Sequence, residues 1–208
     1  MASRVSQSKR PAAQPSTPVG VADRILQTAT KLFLVHGYQQ TGINQIIAES
    51  ATAKASFYQY YATKDDLGRA YLRAYGERNL ALLDRLHERN PAPLDFITAW
   101  SGIVKREARR QELYGCPMAN LRAQLADSSP ALRQAIAELS RQTLQRLTGY
   151  LQAAKKSGHV SADANAPLLA RRLFSLYEGT LQTWRLTGDA AALNDLVPMA
   201  ADVFARDK

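Results

Sequence analysis

The sequence predicts an all-α protein: a small N-terminal head of three helices carrying a helix-turn-helix, then a larger helical body. Three observations predict it. Apolar residues recur at helical spacing from Val21 to the end of the chain and never alternate as in a strand. Helix stop signals fall at Gly37, Asn90-Pro91, Ser157-Gly158 and Thr187-Gly188. Two short periodic segments, one around Ile43, Ile46 and Ile47 and one beginning at Lys54, flank the small-residue break Ser50-Ala51-Thr52-Ala53. Two short helices with a tight turn between them form a unit whose second helix can enter a major groove.

Residues 1–19 carry Arg4, Lys9 and Arg10 among Pro11, Pro15 and Pro18, with no acid and no periodicity. They read as a disordered basic arm, either a plain tail or a segment reaching a DNA backbone or minor groove. The first helix is expected from Val21 to His36, with Ile25, Ala29, Leu32 and Phe33 on one face and Gly37 as its stop. A long helix should start at Thr63, capped with Asp66 three residues on, and run to Asn90-Pro91. Further helices are expected near Leu94–Arg110, Met118–Ala126, Pro130–Lys156, Ala166–Thr187 and Ala190–Ala205. The domain reading is therefore an arm (1–19), a helix-turn-helix head (20–66) and a body (67–208).

The 208 residues are enough for one sizeable core or two linked ones. No apolar run approaches the roughly 20 residues that span a bilayer, and the N-terminus has no apolar signal core. One cysteine excludes an intrachain disulfide and fits a reducing compartment, so the expectation is a cytoplasmic protein with no membrane partner, on the nucleoid when bound to DNA. The net charge of +9 favours an anionic partner. Residues 20–70 hold five bases and four acids, so the head itself is nearly neutral. Its acids sit at Asp23, Glu49, Asp65 and Asp66, leaving Ser50 to Lys64 free of negative charge and dense in Lys, Ser, Thr, Gln and Tyr donors. Those donors suit phosphate oxygens and base edges.

The segment from Gly37 to Leu67 resembles the DNA-binding domain of TetR-type repressors. Gly37-Tyr38, Thr41 and Ile46 match that pattern, as do the recognition helix Lys54-Ala55-Ser56-Phe57-Tyr58-Gln59-Tyr60-Tyr61 and the start Thr63-Lys64-Asp65-Asp66-Leu67. Ala51, Ala53 and Ala55 depart from it, replacing a turn glycine, an N-cap Ser and a glycine near the DNA backbone; Thr52 is the substitute cap. The resemblance implies that Thr41 and Thr52 donate to phosphates. It implies that Lys54, Ser56 and Gln59 approach base edges or phosphates, that Tyr58 and Tyr60 reach the backbone, and that Lys64 pairs with a phosphate. Gln59 can pair bidentately with adenine. Phe57 and Tyr61 are read as packing residues. The resemblance further implies a homodimer on a palindromic operator, with Leu169, Leu173, Leu176, Leu193, Leu196, Val197, Ala200, Val203 and Phe204 of the last two helices at the interface. Read without the resemblance, the same stripes are ordinary core.

Cys116 lies in Tyr114-Gly115-Cys116-Pro117-Met118-Ala119-Asn120-Leu121, at a predicted helix N-terminus where the dipole can lower a thiol pKa. Base rates make such a cysteine a small buried hydrophobe as readily as a sensor. The Gly-Cys-x-x-x-Asn-Leu run resembles the branch of the family that regulates N-ethylmaleimide reductase and acrylate metabolism, which implies sensing of electrophiles at this thiol. The competing trigger is a small molecule bound among Trp100, Tyr114, Phe174, Tyr177, Glu178 and Trp184. Glu178 has a plainer reading as the ion-pair partner of Arg171, Arg172 or Arg185. His36, His87 and His159 are scattered, and no metal, nucleotide or nucleophile motif occurs, so no metal, cofactor or enzymatic activity is expected. A transcriptional repressor is the first reading, with a ligand-blind architectural DNA-binding protein as the alternative.

Overall fold

The computed structural model describes residues 20–125 and 129–205, so the basic-arm reading of residues 1–19 lies outside the described residues. The first helix, α1 (Val21–Val35), buries Ile25, Ala29, Leu32 and Phe33. Gly37 follows it at φ 87, and a Cβ there would lie 2.6 Å from Gln124 Oε1. The backbone conformation reserves the position for glycine, and the Gln124 amide fills the space a side chain there would take.

Helix α2 (Ile43–Glu49) ends in a Schellman turn, in which the Ala51 N–H donates to the Ala48 carbonyl and the Thr52 N–H to the Ile47 carbonyl. The turn forces Ala51 to φ 50, a left-handed conformation that L-residues other than Gly and Asn rarely adopt. Helix α3 (Lys54–Tyr60) follows, with Ala53 at its N-cap and no side-chain cap. Thr52 does not cap it as expected: its hydroxyl lies 2.9 Å from that of Ser50, inside the turn. Phe57 is fully buried against the head core, and the Tyr61 hydroxyl reaches the Ala22 carbonyl at 3.4 Å, so both pack α3 onto α1.

Helix α4 (Lys64–Arg89) opens on a complete capping box: Thr63 Oγ1 accepts from the Asp66 N–H at 3.1 Å and Asp66 Oδ2 accepts from the Thr63 N–H at 3.0 Å. With 26 residues at about 1.5 Å each, it spans about 39 Å. The body adds α5 (Pro93–Arg109), α6 (Pro117–Gln124), α7 (Pro130–Lys156) and α8 (Ala166–Thr187), each with proline in its first turn, where a missing N–H costs nothing. The helix expected over Ala190–Ala205 is two pieces, a 3-10 turn at Ala190–Asn194 and α9 (Leu196–Ala205). Pro198 is the reason: in one continuous helix its ring would clash with the Asn194 carbonyl, whereas in the first turn of α9 it is tolerated.

Two cores hold these helices. One joins α1, α2 and α3 to the first half of α4, to Met118 and Leu121 of α6, and to Leu132, Ile136 and Leu139 of α7. The other joins Leu83 and Leu86 of α4 to Phe96, Ile97 and Trp100 of α5, Leu147 and Leu151 of α7, Leu169 and Leu173 of α8, and Leu196 and Ala200 of α9. Helix α4 runs through both. It lies close on α7 at Gly76, where an added Cβ would come 2.7 Å from Leu139 Cδ1.

Relieving Ala51 by Ala51→Gly removes about 1–2 kcal/mol of left-handed strain against about 0.5–1 kcal/mol of extra chain entropy. The expected result is a Tm higher by about 2 °C in thermal unfolding. His87 of α4 stacks on Tyr150 at 4.2 Å with its buried Nε2 unpaired, and burial pushes its pKa down from 6.5 to about 4. The unfolded chain therefore binds the extra proton between these values, and stability should fall as pH drops from about 6.5 to about 4. Urea midpoints across that window should show the slope, and His87→Phe should flatten it.

Candidate nucleic-acid interface and regulatory cavity

Side chains on α3 divide by depth. Phe57 points into the core, while Lys54, Tyr58, Gln59 and Tyr60 are exposed and Ser56 is half-buried. Tyr58 and Tyr60 are 44% and 48% exposed, far more than an aromatic with only a packing role requires. Tyr58 stands edge-on to Phe57, with ring centroids 5.3 Å apart, so the buried ring orients the exposed one. Thr52 and Lys64 flank the helix, both half-buried.

Thr41 does not join this surface. It is fully buried, and its hydroxyl donates to the Gly37 carbonyl at 2.8 Å. The expectation that it donates to a phosphate is therefore corrected: the left-handed turn at Gly37 leaves a carbonyl that needs a donor, and Thr41, four residues on, supplies it. Lys64 is also engaged. Its ammonium lies 4.5 Å over the Tyr38 ring and donates to the Gln39 carbonyl at 3.3 Å, and burial lowers its pKa. Tyr38 in turn donates to Asp65 Oδ1 at 2.6 Å.

Gln39 carries a contact that sequence reading missed. Its N–H donates to Gln124 Oε1 at 3.2 Å, and its own side-chain amide donates to the Gln124 carbonyl at 2.8 Å. Gln124 is the last residue of α6, so the body grips the loop between α1 and α2 directly. Two glutamines 85 residues apart leave no local signal; only the fold brings them together.

At the other end of α6, Cys116 is the N-cap. Here the expectation of a lowered thiol pKa is reversed. The thiol is buried, and burial followed by the nearby Glu178 carboxyl pushes it up to about 12. An eight-residue helix offers a dipole too weak to offset that desolvation. Glu178 is half-buried with its own pKa raised by burial, and it faces Cys116. Burial and Cys116 set its ionisation and no arginine enters, unlike the pairing expected with Arg171, Arg172 or Arg185.

A cavity of about 300 Å³ opens beside these groups between α4, α5, the α5–α6 loop and α8. Trp100 and Tyr177 form one flat wall, stacked at 3.9 Å and 14°, and Tyr75 and Tyr114 contribute further ring surface. Of the six residues expected to line a pocket, Trp100, Tyr114 and Tyr177 do so. Cys116 lies behind the wall between the lining residues Gly115 and Pro117, and Glu178, Phe174 and Trp184 do not line it. Tyr75, Arg78 and Glu107, which nothing in the sequence singles out, complete the lining.

The expected interface stripe also divides. Leu169, Leu173, Leu193, Leu196 and Ala200 are buried inside one chain and cannot face a second copy. Leu176, Val197, Val203 and Phe204 are half-buried, and Leu186 and Met199 stand 77% and 36% exposed. Periodicity finds an apolar stripe but does not tell which edge of it the rest of the chain covers.

Residues 25–71 match the bacterial regulatory proteins of the tetR family, and residues 94–199 match the tetracyclin repressor-like C-terminal domain. The chain belongs to the TetR family. It is a DNA-binding transcriptional regulator with the family's helix-turn-helix head and helical body. The transcriptional regulator AcuR of Cereibacter sphaeroides is 29% identical over 148 residues, covering 70% of this chain and 67% of that one. The HTH-type transcriptional repressor NemR of Escherichia coli is 25% identical over 160 residues, covering 76% and 80%. The reduced form of E. coli NemR superimposes with a TM-score of 0.79 at 20% identity, covering 88% of this TetR-family chain and 97% of the other. Among the described residues no helix is long and apolar enough to cross a membrane, and no group of three or more His, Cys, Asp or Glu could hold a metal ion.

A thiol with a pKa near 12 is almost wholly protonated at pH 8. Alkylation of Cys116 by iodoacetamide should be at least about 100-fold slower in the native protein than in urea, where the pKa returns to about 8.5. Mass spectrometry of quenched samples gives both rates.

Proposed function

We propose that this protein is a homodimeric repressor that occupies a palindromic operator and leaves it when a small molecule fills the cavity beside Trp100 and Tyr177. In this reading residues 20–66 bind DNA and residues 67–208 sense and dimerise. The observation that carries it is the position of α6. Its N-terminus forms part of the cavity rim through Gly115 and Pro117, and its C-terminal Gln124 holds Gln39, whose carbonyl holds Lys64.

Lys54, Ser56, Tyr58, Gln59 and Tyr60 form the DNA-facing surface, with Thr52 and Lys64 at its flanks. Lys54 and the tyrosine hydroxyls position the helix on phosphates, and Gln59 reads a base. Leu176, Val197, Val203 and Phe204, with the exposed Leu186 and Met199, form the surface a second copy covers. Two heads would then sit on half-sites about one helical turn or a multiple apart. A ligand that prefers a different setting of α6 and α4 lowers operator affinity by shifting the population of the two forms.

A second reading keeps Cys116 as the trigger. The branch resemblance supports it, and the cysteine's place at the α6 N-cap would let a bulky adduct displace the same helix. The high thiol pKa argues for a slow response of this kind.

Operator binding to the adjacent intergenic DNA, measured by fluorescence anisotropy, tests the whole. Lys54→Ala should weaken binding to all sequences alike and reduce the salt slope by about one. Gln59→Ala should cost about 1–3 kcal/mol and relax preference at one base pair. No specific binding by the wild type would leave the architectural reading. Release by an electrophile that is lost in Cys116→Ser would move the trigger from the cavity to the thiol.

A further inference from the structure

The cavity beside Trp100 has a chemical bias of its own. Its walls are ring faces, Trp100 stacked on Tyr177 with Tyr75 and Tyr114 adjoining. Its mouth carries two carboxylates, Glu107 at the end of α5 and Glu112 in the loop that follows, against one cation, Arg78 of α4. The turn fixes the two acids near each other, since the Glu112 N–H donates to the Glu107 carbonyl at 2.9 Å. We propose that this cavity binds a compact organic cation with a flat or aromatic face, seated on the Trp100–Tyr177 stack with Glu107 and Glu112 as its counter-charges.

Two features favour a cation over the alternatives. Aromatic faces present negative quadrupole, and a cation seated on them is attracted, the more so when it is desolvated. The mouth holds one negative charge in excess, because Arg78 offsets only one of the two carboxylates. Behind the wall lie Cys116 and Glu178, and at the rim Arg185 reaches Gly115, its Cδ 3.5 Å from where a Cβ there would stand. Tyr75, Tyr177, Cys116 and Glu178 are each driven toward their protonated forms, first by burial. A neutral ring would stack equally well but leave the Glu107–Glu112 repulsion in place. Glu107 already shows that repulsion: its pKa is raised by burial and then by Glu112, with Arg106 opposing. A bound cation would oppose that shift.

The proposal rests on the repressor reading only in making the cation an inducer; the binding itself does not involve DNA. The test is calorimetric titration of the full-length protein with three near-isosteric planar probes, benzamidinium, benzamide and benzoate. Benzamidinium should bind about tenfold more tightly than benzamide, with benzoate weakest. Glu107→Gln and Glu112→Gln should each shrink that preference while leaving benzamide affinity unchanged, and circular dichroism confirms that both variants are folded. Lowering the pH through the range where Glu107 takes up its proton should weaken benzamidinium and not benzamide. Arg78→Ala should strengthen it. Equal affinity for benzamide, tighter binding of benzoate, or no saturable binding of any probe would each overturn the proposal. Cation binding that leaves operator affinity unchanged would keep the site and count against its role as the inducer site.

Discussion

Aromatic packing at the junction of head and body is the constraint on which the rest of the structure depends. Phe33 of α1 meets Tyr38 at 5.0 Å and Tyr71 of α4 at 5.5 Å, and the same core takes in Met118 and Leu121 of α6. A three-helix head of fewer than 50 residues buries too little surface to hold itself rigid. Sharing its core with α4, α6 and α7 supplies the missing area. It also removes the freedom that a flexible linker would give, so a shift of α6 cannot leave the head where it was.

Polar contacts add direction to that coupling. Gln39 is held by Gln124 from the body side and holds Lys64 through its carbonyl, while Tyr38 packs under Lys64 and bonds Asp65. Each bond is worth only about 1 kcal/mol on balance. They are concentrated on one loop, however, and that loop joins the two helices of the head nearest the recognition helix. The near-neutral charge of the head fits this arrangement: positive charge is placed at a few engaged side chains and not spread as a patch.

Most of the fold was legible because its signals are local. Gly37, the Thr63–Asp66 box and the prolines that open α5 to α8 each act within one turn, and the helices lie within a few residues of where they were expected. The exposed donors of α3 were legible for the same reason, since Phe57 fixes which face is inside. What was not legible depends on burial by distant segments. Thr41 reads as a donor until the Gly37 carbonyl is seen to need it. Cys116 reads as readily as a sensor thiol as a buried hydrophobe until α4 and α8 close over it. The apolar stripes of α8 and α9 read alone as ordinary core and under the resemblance as an interface, and burial takes one edge of them into the core. Pro198 was the one local signal overlooked, and it splits the last helix.

Helix α6 joins the cavity rim to the head through a fixed number of residues, eight from Pro117 to Gln124. An α-helix advances about 1.5 Å and turns about 100° per residue. The bearing of Gln124 relative to the Cys116 end is therefore set by counting, not by composition. One residue more or less would leave the helix equally stable and equally apolar yet swing its last side chain away from Gln39. The length of this element, as much as its side chains, decides where Gln124 meets the head.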